Sequence, residues 1–374
     1  MKIFAFTFML LLSGLAAQAQ SPELSITETT KLIQKARSSA VDPRGWAIDL
    51  LDVLRVHSLP QSRENICSSI AIIDQESNFV SDPAVAGLGA LAEKALRSKA
   101  DRVPVLGRMA LQFLETTPSP NDSYLERIRS ARTERDLDMT YRRMVEDASN
   151  KASLSLVVQS GLLNQLIEDR NDINTIGSMQ VSVKFAVENA KQGRWLPMSL
   201  KDIYAVRDEL YTRRGGMYYG VLQLLGYESG YNRKIFRFAD FNAGRYASRN
   251  AAFQTLISTL SNIKLTKDGD LLLYDKNQIA LKATSQSEKA LRSLISARHL
   301  NIDEKQLRAD LLKEKTAQFA ATQTYYSVRN LAKNPVAFAV VPSIELSSPK
   351  IRHHMTTRKF AENVERRYQR CMRK

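Results

Sequence analysis

Cysteine is scarce in this chain: two residues among 374, Cys67 and Cys371, and no pair at zinc-finger spacing. Glycine-rich phosphate loops are missing, and so are strands that interleave aromatic with basic residues. The sequence marks of nucleotide and RNA binding are therefore absent. Past the N-terminus no stretch approaches about 18 uninterrupted apolar residues, so no internal membrane-spanning helix and no stable membrane anchor are expected. Neither an internal repeat nor a low-complexity segment is present. Asp268-Gly269-Asp270 lacks the remaining ligands of a twelve-residue calcium loop and reads as a turn. No metal and no other cofactor are expected.

What is present is ordinary globular composition, 44% hydrophobic and 25% charged, in a chain long enough for one large domain with additions or for two domains. Met1-Lys2, the apolar run from Ile3 to Leu12 and the small residues Ala17-Gln18-Ala19 have the layout of an export signal cleaved after Ala19. No cysteine near that point could accept a lipid. A periplasmic or secreted protein is expected. The formal net charge is +15, and loss of Lys2 with the signal leaves +14. Such a charge either attracts anionic polymers of the cell envelope or simply keeps the chain soluble; export argues against nucleic acid as the partner. Export also permits a Cys67–Cys371 disulfide, which would tie the C-terminus to the helix that carries Cys67, with two buried thiols as the alternative.

That helix ends on the most informative residue of the chain. Ile66, Ile70 and Ile73 recur at helical spacing, Ser62 is placed to cap the start, and Ser77-Asn78 with Asp82-Pro83 marks the stop. Glu76 therefore falls in the last turn, where outward carbonyls and the helix dipole disfavour a negative charge and favour a raised carboxyl pKa. Taken alone, the segment reads as a solvated glutamate at a helix end.

Further helices are expected over Thr27–Ala36, Gly45–Val56, Val181–Lys191, Leu210–Leu225, Ala251–Leu260, Ser287–Ala297, Asp303–Val328 and Thr357–Arg370. Leu271–Tyr274 and Gln278–Leu281 read as a β-hairpin. The fold class is mainly α. The organisation read from the pattern is a signal at 1–19, a main domain at 20–263 with a helical insertion at 85–165, and an extension at 264–374 containing the hairpin. In the insertion, alternating Glu and Arg mark an exposed helix face; its role, cleft wall or bulk, stays open.

Three short stretches stand in order: Glu76-Ser77-Asn78-Phe79, Gly177-Ser178-Met179-Gln180 and Phe241-Asn242-Ala243-Gly244. Over about residues 60 to 260 this resembles the lytic transglycosylases and goose-type lysozyme-like enzymes, whose signature is a Glu-Ser-x-Phe turn, a Gly-x-Met-Gln helix start and a Tyr-Asn-Ala-Gly turn. The last third, with Pro349-Lys350-Ile351, Phe360-Ala361, Arg366-Arg367-Tyr368 and Cys371, is similar to an uncharacterised branch of bacterial envelope proteins sharing that centre. The resemblance implies a lysozyme-like core acting on peptidoglycan strands, with other envelope proteins as further partners. It makes Glu76 the catalytic acid and base, with Ser77 fixing the helix end, Met179 and Gln180 bounding the sugar site, and Asn242 holding the turn opposite. Phe241 departs from the pattern, because the family's tyrosine hydroxyl is missing there. Tyr246, Tyr325 or Tyr326 would have to supply the phenol, the last two lying in a similar Thr-x-Tyr-Tyr-x-x-Val setting. Hydrolysis with two carboxylates would need Asp82, Asp172 or Asp240 as the partner. The alternative function is a lysozyme-fold protein that binds glycan or scaffolds an envelope complex without cutting.

Overall fold

The computed structural model describes residues 22–102, 104–150, 175–275, 278–346 and 355–373. The expected signal, Asp172 and Pro349-Lys350-Ile351 lie outside them. Among the described residues the protein is mainly α, with sixteen α-helices and three two-stranded sheets of two residues per strand. No described helix is long and apolar enough to cross a membrane.

Caps set the first three helices. Helix α1 (Ile26–Ala36) opens on a capping box between Ser25 and Glu28, and α2 (Pro43–Val56) on Asp42 followed by Pro43. Helix α3 (Arg63–Glu76) starts at Ser62, whose Oγ accepts from the Asn65 N–H at 3.3 Å, and ends on Glu76. Ile66, Ile70 and Ile73 are buried as their spacing requires. So are Ser68 and Ser69 on the same helix, whose hydroxyls donate to the carbonyls of Glu64 and Asn65. Helix α3 is thus enclosed along most of its length.

Three cores divide the described chain. Helices α4 (Leu88–Ala100), α5 (Pro104–Thr116), α6 (Tyr124–Ser130) and α7 (Glu134–Asn150) surround Leu96, Phe113, Tyr124 and Ile128. This separate core falls within the expected insertion, whose residues 151–165 lie outside the described chain. The main core joins α1 to α3 with α8 (Val183–Lys191), α9 (Leu200–Leu210), α10 (Arg213–Leu225) and α11 (Lys234–Ala243). Helices α12 (Ala247–Ser261), α13 (Gln286–Ala297), α14 (Glu304–Leu311) and α15 (Gln323–Asn330) enclose the third core around Phe253, Leu291 and Phe319. The last helix, α16 (Thr357–Met372), leaves that unit and returns to the main core with Phe360, Val364 and Tyr368.

Two expectations change. The apolar pattern from Asp303 to Val328 is not one helix: it breaks into α14, a 3-10 turn at Ala317–Ala321 and α15. The reason lies in two carboxylates. Asp310 accepts from the backbone N–H and hydroxyl of Thr324, folding α15 back on α14. Glu314, fully buried, accepts from the N–H groups of Leu271 and Leu272 and from the Tyr274 hydroxyl. The hairpin expected over 271–281 is likewise reduced to one bridge, Tyr274↔Ala280, because those N–H groups bond to Glu314 instead of to a partner strand.

The disulfide is present: Cys67 on α3 is bonded to Cys371 on α16 across a separation of 304 residues, with Cα atoms 5.6 Å apart. Closing so long a loop removes unfolded-state entropy worth at most about 5 kcal/mol. Replacing both cysteines by serine should lower the unfolding free energy measured in urea, by at most about 5 kcal/mol. Reductant should then affect only the wild type.

Burial also loads the pH dependence. It pushes the Asp240 carboxyl up to about 6 and the Glu314 carboxyl up to about 7. Both hold protons more tightly folded than unfolded, so their stabilisation is complete below about pH 4 and disappears as pH rises toward 7. Burial raises Asp82 and Asp270 in the same direction, whereas His57, its pKa lowered by burial, works in the opposite sense. Urea melts at about pH 5 and about pH 7.5 should therefore differ, with the higher pH less stable by on the order of 2 kcal/mol.

Candidate active site

Helix α3 delivers Glu76 to its C-terminal end with the side chain part-exposed. Ser77 closes the helix: its N–H donates to the Ile73 carbonyl, and its buried hydroxyl donates to the same oxygen at 3.1 Å. The chain then turns sharply, with Asn78 at φ 52° and Phe79 at φ 63°. Two successive left-handed residues, one of them bulky, hold strain of about 1–3 kcal/mol each. Local contacts offset it. The Phe79 ring is buried edge-on against Trp46 at 5.3 Å, and Arg37 donates to the Asn78 side-chain oxygen.

The second stretch forms the turn of a β-hairpin between Thr175–Ile176 and Val181–Ser182. Gln180 is thus a turn residue at φ 49°, where a helix start was expected; Ser182 caps the helix that follows. Gly177 has φ 80°, and a Cβ there would fall 2.1 Å from the Leu210 carbonyl oxygen. Ser178 and Met179 fill the spaces left by Gly216 and Gly220: a Cβ on either would lie 2.7 Å from Ser178 Oγ or 2.4 Å from Met179 Sδ. These small residues of α10 accommodate the hairpin turn. Gln180 folds across it, donating to the Gly177 carbonyl and accepting from the Thr175 hydroxyl.

The third stretch ends α11. Phe241 is buried, and its carbonyl accepts from Gln223 Nε2 at 2.8 Å. Asn242 is exposed and accepts from the Thr357 hydroxyl at 2.9 Å, which ties α11 to the first residue of α16. Gly244 follows at φ 105°. Phe79, Met179 and Phe241, one from each stretch, are buried in the same core.

The tyrosines are placed elsewhere. Tyr325 packs in the third core against Phe253 and Phe319, with its hydroxyl near Arg329, and Tyr326 is 65% exposed. Tyr246 donates its hydroxyl to the Glu228 carbonyl. Of the carboxylates considered as partners, Asp240 is buried on α11 and accepts from the Tyr227 and Tyr231 hydroxyls and from the Tyr246 and Ser248 N–H groups. All four bonds commit it to structure. Asp82 is half-buried, and burial raises its pKa. Among the described residues no group of acidic, His or Cys side chains could hold a metal.

Sequence reasoning missed two features. Asp74, buried on α3, accepts from Arg37 Nε at 2.8 Å and from Arg367 Nε at 2.9 Å; only a charge pattern spanning the whole chain could have signalled this. Glu228-Ser229-Gly230-Tyr231 repeats the Glu-Ser-x-aromatic pattern, and Glu228 is exposed outside any helix.

Residues 39–374 match a family described as "Protein of unknown function (DUF1615)". The chain belongs to this family. It is also 36% identical over 371 residues to the Escherichia coli (strain K12) protein named "Uncharacterized protein YaiW", an alignment covering 97% of this chain and 95% of that one. No solved structure matches.

In this DUF1615 chain the hairpin turn has no room for a side chain at Gly177. Gly177→Ala adds left-handed strain and a backbone clash, and should destabilise by on the order of 2 kcal/mol or more. Urea unfolding checks this.

Proposed function

We propose that this is an exported peptidoglycan-cleaving enzyme of the lytic transglycosylase type, with Glu76 as its single acid and base. The observation that carries the reading is the convergence just described. A part-exposed glutamate ends an enclosed helix, strained turns follow it and close the second stretch, and residues of all three stretches share one core. The resemblance of those stretches to the transglycosylase signature supplies the chemistry.

In this reading the Glu76 carboxylic acid protonates the glycosidic oxygen between N-acetylmuramic acid and N-acetylglucosamine as the bond to the anomeric carbon breaks. The substrate's acetamido group stabilises the positive centre, taking the place of a second carboxylate. The Glu76 carboxylate then removes the proton of the muramyl 6-hydroxyl as that oxygen bonds to the anomeric carbon, leaving a 1,6-anhydro end. The commitment of Asp240 to four internal hydrogen bonds favours this single-carboxylate route over two-carboxylate hydrolysis. The net positive charge would draw the protein to anionic wall polymer.

Phe241 favours a second reading, glycan binding or scaffolding without cleavage, because it offers no hydroxyl.

Purified cell wall incubated with wild type, Glu76→Gln and Glu228→Gln, with products read by mass spectrometry, separates the two. Cleavage predicts anhydro-muropeptides from wild type and Glu228→Gln, and a loss of at least about 100-fold in Glu76→Gln. Wall binding without products from any of the three would establish the second reading.

A further inference from the structure

The opposite side of α3 carries a different feature. Asp74 precedes Glu76 by two residues, about 200° around the helix. There α1, α3 and α16 enclose a cavity of about 240 Å³. Its floor is Ile70, Ala71 and the Cys371 half of the disulfide. Four cations line it, Lys35, Arg367, Arg370 and Arg373, against one carboxylate, Asp74.

That carboxylate is already shared between Arg367 and, from outside the cavity, Arg37. Basic residues in a last helical turn commonly serve the unpaired carbonyls of the helix end. Here other side chains do so: Arg63 donates to the carbonyls of Cys371 and Arg373, and Lys35 donates to that of Arg373. The guanidinium groups of Arg370 and Arg373 are left without a hydrogen bond or ion pair among the described residues. Both are exposed at the cavity mouth.

We propose that this cavity is a binding site for a phosphate dianion, either free or carried as a monoester. Forked guanidinium donors from two arginines match a dianionic phosphate, which accepts from several donors at once. The disulfide and the Asp74 ion pairs hold the cavity walls in place before any ligand arrives. The volume exceeds that of a bare phosphate and leaves room for part of a sugar. The site is independent of Glu76 and of the cleavage reading.

The test is isothermal titration calorimetry of the mature chain at low ionic strength, with inorganic phosphate and glucose 1-phosphate as probes. The variant Arg370→Gln/Arg373→Gln changes only exposed side chains, and circular dichroism checks its fold. Lys282→Gln/Lys289→Gln, with two exposed lysines of the third unit, controls for net charge. Saturable one-site binding weakened at least tenfold in the arginine variant and unchanged in the lysine variant is the expected result. Tighter binding of glucose 1-phosphate points to a phosphorylated glycan as the source; equal binding points to free phosphate. No saturable binding of either probe, or equal weakening in both variants, overturns the proposal.

Discussion

Asp74 sits where the first, third and last helices of the described chain meet, and its carboxylate is shared by Arg37 and Arg367. A carboxylate with only 2% of its side chain exposed is tolerated there because both partners hydrogen-bond to it; without them the desolvation penalty would be several kcal/mol. The Cys67–Cys371 bridge fastens two of these helices, α3 and α16, seven residues earlier on α3. Ionic and covalent links thus hold both ends of the described chain on one central helix.

The geometry at the end of that helix follows. Glu76 lies two residues, about half a turn, beyond a doubly anchored segment, so its backbone position is determined by packing that the exposed surface does not disturb. The left-handed conformations at Asn78 and Phe79 persist because Arg37, which also grips Asp74, bonds to Asn78, and because Phe79 is seated on Trp46. Strain is retained only where surrounding contacts over-determine it. The hairpin turn is held by a different device, steric fit against Gly216 and Gly220. Helices α4 to α7 add their own core and reach the main body through part-buried ion pairs, Asp138 on α7 with Arg207 on α9 among them.

Much of this was legible locally. The Ser62 cap, the buried isoleucine stripe and the Glu76 terminus all follow from nearest-neighbour chemistry, and all three are observed. The Phe241-Asn242 stretch was legible as a boundary. Its bond to Thr357 was not, since 115 residues separate the two positions. The continuous helix read over Asp303–Val328 misled because periodicity registers apolar spacing and is blind to where a carboxylate such as Glu314 finds its donors.

The sequence by itself determined the mainly α class, most helix starts and the residues that carry the resemblance to glycan-cleaving enzymes, because capping, periodicity and turn chemistry act over a few residues. Only the tertiary structure decided which stretches share a core, that Tyr325 belongs to another one, that Asp240 is committed to an internal network, and that α16 returns to close the main core. Those outcomes depend on burial and on donors and acceptors meeting from distant parts of the chain, and no local pattern encodes such encounters.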